Sequence, residues 1–209
     1  GPASGGTSVT LTGQGFTGAT AVTFGSTPAT GVVVVSNTQI TATSPAGSGV
    51  VQVTVTGPGG TSNGVAFAYV PVLTSISPTS GPASGGTSVT LTGTGFTGAT
   101  AVTFGATPAT SFTVVSNTQI TAVSPAGTGT VQVTVTTPGG TSGGVSFAYV
   151  PVLTSISPTS GPATGGTAVT LTGQGFTGAT AVTFGSTPAT GVTVVSDTQI
   201  TAISPSGSG

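Results

Sequence analysis

Apolar and polar residues alternate with period two along most of this chain. Val89 and Leu91 are flanked by Ser88, Thr90 and Thr92; Val131, Val133 and Val135 are interleaved with Gln132 and Thr134. Val145, Phe147 and Tyr149 alternate with Ser146 and Ala148, and Val102 with Phe104 and Phe112 with Val114 extend the series. Successive side chains of a strand point to opposite faces, so this alternation predicts strands with one face on a core and one in water. Turn signals separate the runs: Thr92-Gly93-Thr94-Gly95, Ser116-Asn117-Thr118, Pro125-Ala126-Gly127 and Pro138-Gly139-Gly140. No stretch shows helical periodicity. About seven short strands at spacings near ten residues predict an antiparallel β-sandwich.

The pattern recurs every eighty residues. Residues 1–49, 81–129 and 161–209 align without a gap, and the first two of these copies differ at seven positions. Near-identical copies carry near-identical surfaces, so a specialised site in a single copy is not expected. The expected division is a repeat over 1–70 lacking its first strand, a complete repeat over 71–150, and a repeat over 151–209 lacking its last strands. The first copy has no counterpart of Pro71–Ser80 and the third none of Val50–Val70, which leads us to expect a section of a longer array. Pro71 and Pro151 fix their own φ and hold the preceding valine extended, so short, rather stiff junctions are expected at Tyr69–Pro71 and Tyr149–Pro151.

Charge changes the picture more than any motif. The 209 residues contain no Lys, Arg or His, a single acidic residue, Asp197, and neither Cys nor Met. Gly and Pro account for 37 and 15 residues, a fraction that would suggest low complexity were valine, isoleucine, leucine and phenylalanine not placed so regularly. Nucleic-acid binding is excluded, because its affinity comes from Lys and Arg neutralising phosphates. Attraction to anionic membranes fails for the same reason. The longest β-branched run, Val32–Val35, is far too short to insert in a bilayer, and any targeting segment is expected to lie outside this sequence or to have been removed.

Site chemistry is correspondingly sparse. Gly93-Thr94-Gly95-Phe96-Thr97-Gly98, and likewise residues 13–18 and 173–178, fit the G-x-G-x-x-G spacing of dinucleotide-binding turns. That reading also requires a following helix and an acidic residue about twenty positions on. Here another strand pattern follows, so a strand-end turn is expected, with glycines at positive φ and Phe96 entering the core. Serine and threonine abound, yet no histidine is present to activate them. One carboxylate with no His or Cys gives no metal cage. The expectation is therefore no catalytic residue, no cofactor-binding residue, no metal ligand and no cofactor. Asn37, Asn117 and Asp197 share one position, read as a turn in which Asn and Asp are interchangeable through side-chain-to-backbone hydrogen bonds. Tyr69 and Tyr149, beside Phe67 and Phe147, are read as core aromatics near the junctions rather than as exposed sugar-stacking platforms.

Several runs carry a family resemblance. Ile76-Ser77-Pro78, Gly85-Gly86-Thr87 and Val89 through Phe96 resemble the start of an IPT/TIG domain. Val102-Thr103-Phe104-Gly105, Thr118-Gln119-Ile120-Thr121, Pro125-Ala126-Gly127 and Val131 through Val135 resemble its middle and late strands. Pro138-Gly139-Gly140 and Phe147-Ala148-Tyr149-Val150 resemble its end. The resemblance implies tandem immunoglobulin-like sandwiches. Among the family's branches, the cysteine-free, base-free sequence looks like bacterial tandem arrays rather than plexin-type receptors or DNA-binding transcription factors. This resemblance implies an extracellular or cell-surface structural or adhesive repeat protein. It would form a stalk, sheath or filament by association with copies of itself and with further repeats. A carbohydrate-binding spacer of a secreted enzyme, with surface glycans as partners, and a phage or virion decoration module are the alternatives.

Overall fold

The computed structural model describes residues 1–208 and contains no helix among them. The repeat over 71–150 shows the architecture most fully. Seven of its strands have four or more residues: Val72–Ser77, Ser88–Thr94, Ala101–Phe104, Ser111–Ser116, Gln119–Val123, Thr130–Thr137 and Val145–Val150. Three shorter segments, Ser80–Pro82, Thr107–Pro108 and Gly140–Thr141, complete the set.

These strands form two sheets. In one, Ser111–Ser116, Gln119–Val123, Ser88–Thr94 and Val72–Ser77 lie side by side in that order, all antiparallel. In the other, the order is Ser80–Pro82, Val145–Val150, Thr130–Thr137, Ala101–Phe104 and Thr107–Pro108. One pairing departs from the antiparallel arrangement expected from the sequence. Ser80–Pro82 runs parallel to Val145–Val150, with Gly81 opposite Tyr149. The reason is that the opening segment serves both sheets. Its first half pairs with Ser88–Thr94; the chain then crosses after Pro78, and its second half joins the other sheet in the direction of the closing strand. The first repeat repeats this parallel contact as a bridge between Pro2 and Val70.

The alternation seen in the sequence places the core. Val89, Leu91, Ile120 and Ala122 from one sheet meet Val102, Phe104, Val133, Val135 and Phe147 from the other, all essentially inaccessible. Each buried aliphatic or aromatic side chain of this size stabilises the fold by about 1.5–3 kcal/mol relative to exposure. Phe104, Phe147 and Tyr149 stack edge to face in sequence, with centroids 5.2 Å apart at each step, the geometry that brings a ring's positive edge against its neighbour's negative face. The outward faces are zipped by threonines. Thr103 and Thr134 hydroxyls lie 2.9 Å apart across one strand pair, and Thr136 and Thr141 lie 3.0 Å apart across another.

Separate cores of the same kind occupy the first repeat, around Val22, Phe24, Ile40 and Tyr69, and the third, around Val169, Leu171, Phe176 and Ile200. The sheet holding Ser8–Thr12 has three strands where its counterpart in the second repeat has four. Val9 and Leu11 are consequently half-buried, whereas Val89 and Leu91 are fully enclosed.

Candidate interaction surfaces and family membership

With so few ionisable groups, any interaction surface must be built from the turns, the aromatics, the clefts or the sheet edges. The Gly93–Gly98 loop is a strand-end turn. Gly95 and Gly98 have φ of +79° and +77°, a region closed to most side chains. Phe96 is fully buried between them. Gly98 is followed by the Ala101–Phe104 strand rather than by a helix, so no helix N-terminus is available to hold a phosphate.

Asn37, Asn117 and Asp197 do sit in turns, but their hydrogen bonds are not local. Asn117 Oδ1 accepts from the Thr97 backbone N–H and hydroxyl, at 3.2 and 2.9 Å. Asn37 does the same with Thr17. Asp197 accepts from both groups of Thr177 and, through its second oxygen, from the Gly175 N–H at 3.2 Å. The shared side chain therefore ties one loop to another twenty residues away, at the same end of each sandwich. Sequence reasoning reached a turn in which Asn and Asp are interchangeable through side-chain-to-backbone hydrogen bonds, without naming the partners, which lie twenty residues away. The hydrogen bond from the Thr177 hydroxyl, with those from the Thr177 and Gly175 backbone, holds the Asp197 carboxyl below the usual range, outweighing the opposing effect of burial.

Every aromatic residue of the chain is buried or half-buried. Tyr69 and Tyr149, 1% and 7% exposed, belong to the cores, and burial pushes both phenols up. No ring stands free as a stacking platform among the described residues. Those residues also contain no group of three His, Cys, Asp or Glu side chains able to hold a metal, and no helix long and apolar enough to cross a membrane.

Two clefts open beside the cores. One of about 310 Å³ in the first repeat is bordered by Val9, Leu11, Val53 and Phe67, beside the strand whose counterpart pairs with Val72–Ser77 in the second repeat. The other, of about 670 Å³, is bordered by Ile156, Val169 and Phe184 in the third repeat. Around the corresponding phenylalanine of the second repeat, Phe104, pack Phe147 and the Thr130–Thr137 strand. Neither cleft brings a titratable side chain together with a nucleophile.

The feature that all three repeats share on their surfaces is an edge strand. Thr30–Ser36, Ser111–Ser116 and Thr190–Ser196 each end their sheet, paired on one side only. Each directs a valine at solvent: Val35, Val115 and Val195 are 55%, 57% and 55% exposed. Val32, Phe112 and Val192, three residues earlier, pack on the cores, and each outward valine is the extra residue of a β-bulge, where the register slips between Val34 and Ser36, Val114 and Ser116, and Val194 and Ser196.

No curated protein sequence matches the chain significantly. Among solved structures, the extracellular region of plexin A4 matches it at 21% identity and a TM-score of 0.36, covering 100% of this chain and 20% of that one. SGBP-B from a complex xyloglucan utilization locus in Bacteroides uniformis matches at 23% identity and 0.35, covering 90% of this chain and 57% of that one. The Escherichia coli adhesin FdeC matches at 19% and 0.29, covering 98% and 85%. The chain thus spans only a fifth of the plexin and just over half of the Bacteroides protein. At these identities and scores the likeness assigns neither ligand nor activity. The IPT/TIG domain model, by contrast, matches residues 1–69, 71–149 and 151–209, nearly the whole sequence, and with the sandwich cores in place the chain belongs to the IPT/TIG domain family, as three such domains in tandem.

Proposed function

We propose that this chain is a structural, non-catalytic segment of an extracellular or cell-surface repeat protein, and that its uncharged rods associate side by side into a sheath or filament. The supporting observation is the open valine edge recurring once in every repeat. An unpaired edge strand presents backbone donors and acceptors to any strand that approaches. Proteins usually guard such edges with lysine or other charges and with bulges; these edges each keep a bulge at the valine, but the chain has no lysine or arginine at all. With a formal net charge of −1 there is also little long-range repulsion to keep copies apart. One edge buries little surface, but three edges at regular intervals make the second and third contacts intramolecular once the first has formed.

Glycan binding is the second function class that the family's surface proteins suggest, yet here every aromatic ring is buried or half-buried and none stands exposed for stacking on a sugar. Sedimentation velocity over a concentration series tests the proposal. Species well above the 19.3 kDa monomer that grow with concentration are expected; a single monomeric boundary at the highest concentration would refute it.

A further inference from the structure

The second repeat carries glycines at two points where it meets the first. Gly95 is buried, and a Cβ built there would collide with the Ala3 Cβ and lie 3.4 Å from Pro71 Cα. Gly139 is also buried, and its Cβ would collide with the Tyr69 carbonyl oxygen and lie 3.1 Å from that of Gly49. Neighbouring Gly140 faces the Val70 side chain. At Gly139 backbone is thus pressed on backbone, and at Gly95 backbone on the Ala3 methyl, with no room for a methyl group at either. The hairpin that makes this contact is braced from within, as the Gly139 N–H donates to the buried Thr137 hydroxyl at 3.2 Å.

The same residues exist in the first repeat without a neighbour. Gly15, Gly59 and Gly60 are exposed and would meet nothing within 4 Å if given a Cβ. The third repeat repeats half of the contact: Gly175 is buried against Ala83 and Pro151. Pro71, enclosed from both sides, is buried, whereas Pro151 is exposed.

We propose that the face formed by Gly95 and Pro138-Gly139-Gly140 is a recognition surface for the Tyr-Val-Pro end of a repeat of this same sequence. It is used between the first and second repeats, and the first repeat presents it open to the same kind of partner. A repeat with any larger residue at position 95 or 139 cannot seat, so the surface selects its own kind and fixes one orientation between successive sandwiches. This selection is independent of the lateral association through the valine edges, because the two surfaces share no residue.

The chain supplies its own control. Gly139 and Gly59 occupy equivalent positions, and neither has a positive φ, so alanine strains the backbone at neither. Spin labels on S26C and A106C, equivalent exposed turn positions of the first two repeats, report the inter-repeat distance in the full chain. The expected result is one narrow distance distribution for the parent, a shifted or broadened one for G139A, and an unchanged one for G59A. If G139A unfolds the second repeat, G95A against G15A serves instead. Both glycines have φ near +78°, so the strain of alanine is common to the two and only the contacts with Ala3 and the junction residue Pro71 separate them. Equal distributions for G139A and the parent, or equal broadening in both members of either pair, would overturn the proposal.

Discussion

The Tyr69 hydroxyl donates a hydrogen bond to the Pro45 carbonyl at 2.9 Å, joining the closing strand of the first repeat to the loop after its Gln39–Thr43 strand. The same ring lies edge to face with Phe67, centroids 5.0 Å apart, so one side chain both fills the core and satisfies a loop carbonyl. Its counterpart Tyr149 is also buried, but its hydroxyl has no hydrogen-bond partner among the described residues. A buried hydrogen bond contributes about 0.5–1.5 kcal/mol, while an unpaired buried hydroxyl costs desolvation with no return. Tyr69→Phe is therefore expected to destabilise the first repeat by roughly 1 kcal/mol, and Tyr149→Phe to leave the second unchanged or slightly more stable. Hydrogen exchange resolved by repeat measures both; an equal loss in the two would remove the distinction.

Stability is expected to depend on pH differently in different repeats. Asp197 has a folded pKa depressed mainly by the Thr177 hydroxyl. Its contribution is therefore present above the unfolded carboxyl value of about 3.9 and is lost as pH falls through the lower folded value. Tyr69 and Tyr149 have raised pKa values from burial. Their contribution is present below the unfolded phenol value of about 10 and is lost as pH rises through the higher folded value. Acid should loosen only the third repeat and strong alkali only the first two. The Asp197 effect is small, since the group is partly exposed and screened by solvent. D197N, which restores the Asn found at 37 and 117, should abolish the acid response in repeat-resolved exchange. Acid loosening that persists in D197N would show another cause.

Protection should also differ between repeats at neutral pH. Val89 and Leu91 are completely enclosed, while Val9 and Leu11 are half-buried beside an open cleft. Local opening follows the density of buried contacts. Amides of Ser88–Thr94 should exchange more slowly than those of Ser8–Thr12, and uniform protection across the two strands would contradict this.

Phe96 anchors the Gly93–Gly98 loop from inside the sandwich. Truncating a buried phenylalanine costs about 3–5 kcal/mol, so Phe96→Ala should unfold the second repeat at markedly lower denaturant. The first repeat, with a core of its own, should lose far less. A loss spread evenly over the repeats in exchange-detected denaturation would mean that the cores are not separate.

Much of this was legible in the sequence because a strand writes its environment at every second residue. Val131, Val133 and Val135 announced a face, and Phe147 with Tyr149 announced the inward one. What stayed hidden depends on residues far apart in the chain. The parallel pairing of Ser80–Pro82 with Val145–Val150 leaves no mark in either segment, because period two is the same for both directions. The partners of Asn117 lie twenty residues away at Thr97, beyond what a turn motif encodes. Gly139 read as an ordinary turn glycine, and only the neighbouring repeat's Tyr69 carbonyl shows why a side chain is barred there. The exposure of the valines at 35, 115 and 195 follows from the sheet order, which places their strands at an edge, and a strand's own sequence does not say whether it has one neighbour or two.

Lateral association through uncharged edges is tested most directly by static light scattering of the parent chain and of V35K/V115K/V195K from low to high salt. Screening acts on charges, and this surface offers almost none. The expected result is an assembly of the parent chain whose mass barely changes with salt, together with a monomeric triple variant whose strands are intact by circular dichroism. A parent that is monomeric at high concentration, an assembly that dissolves as salt rises, or a triple variant that assembles as well as the parent would contradict it.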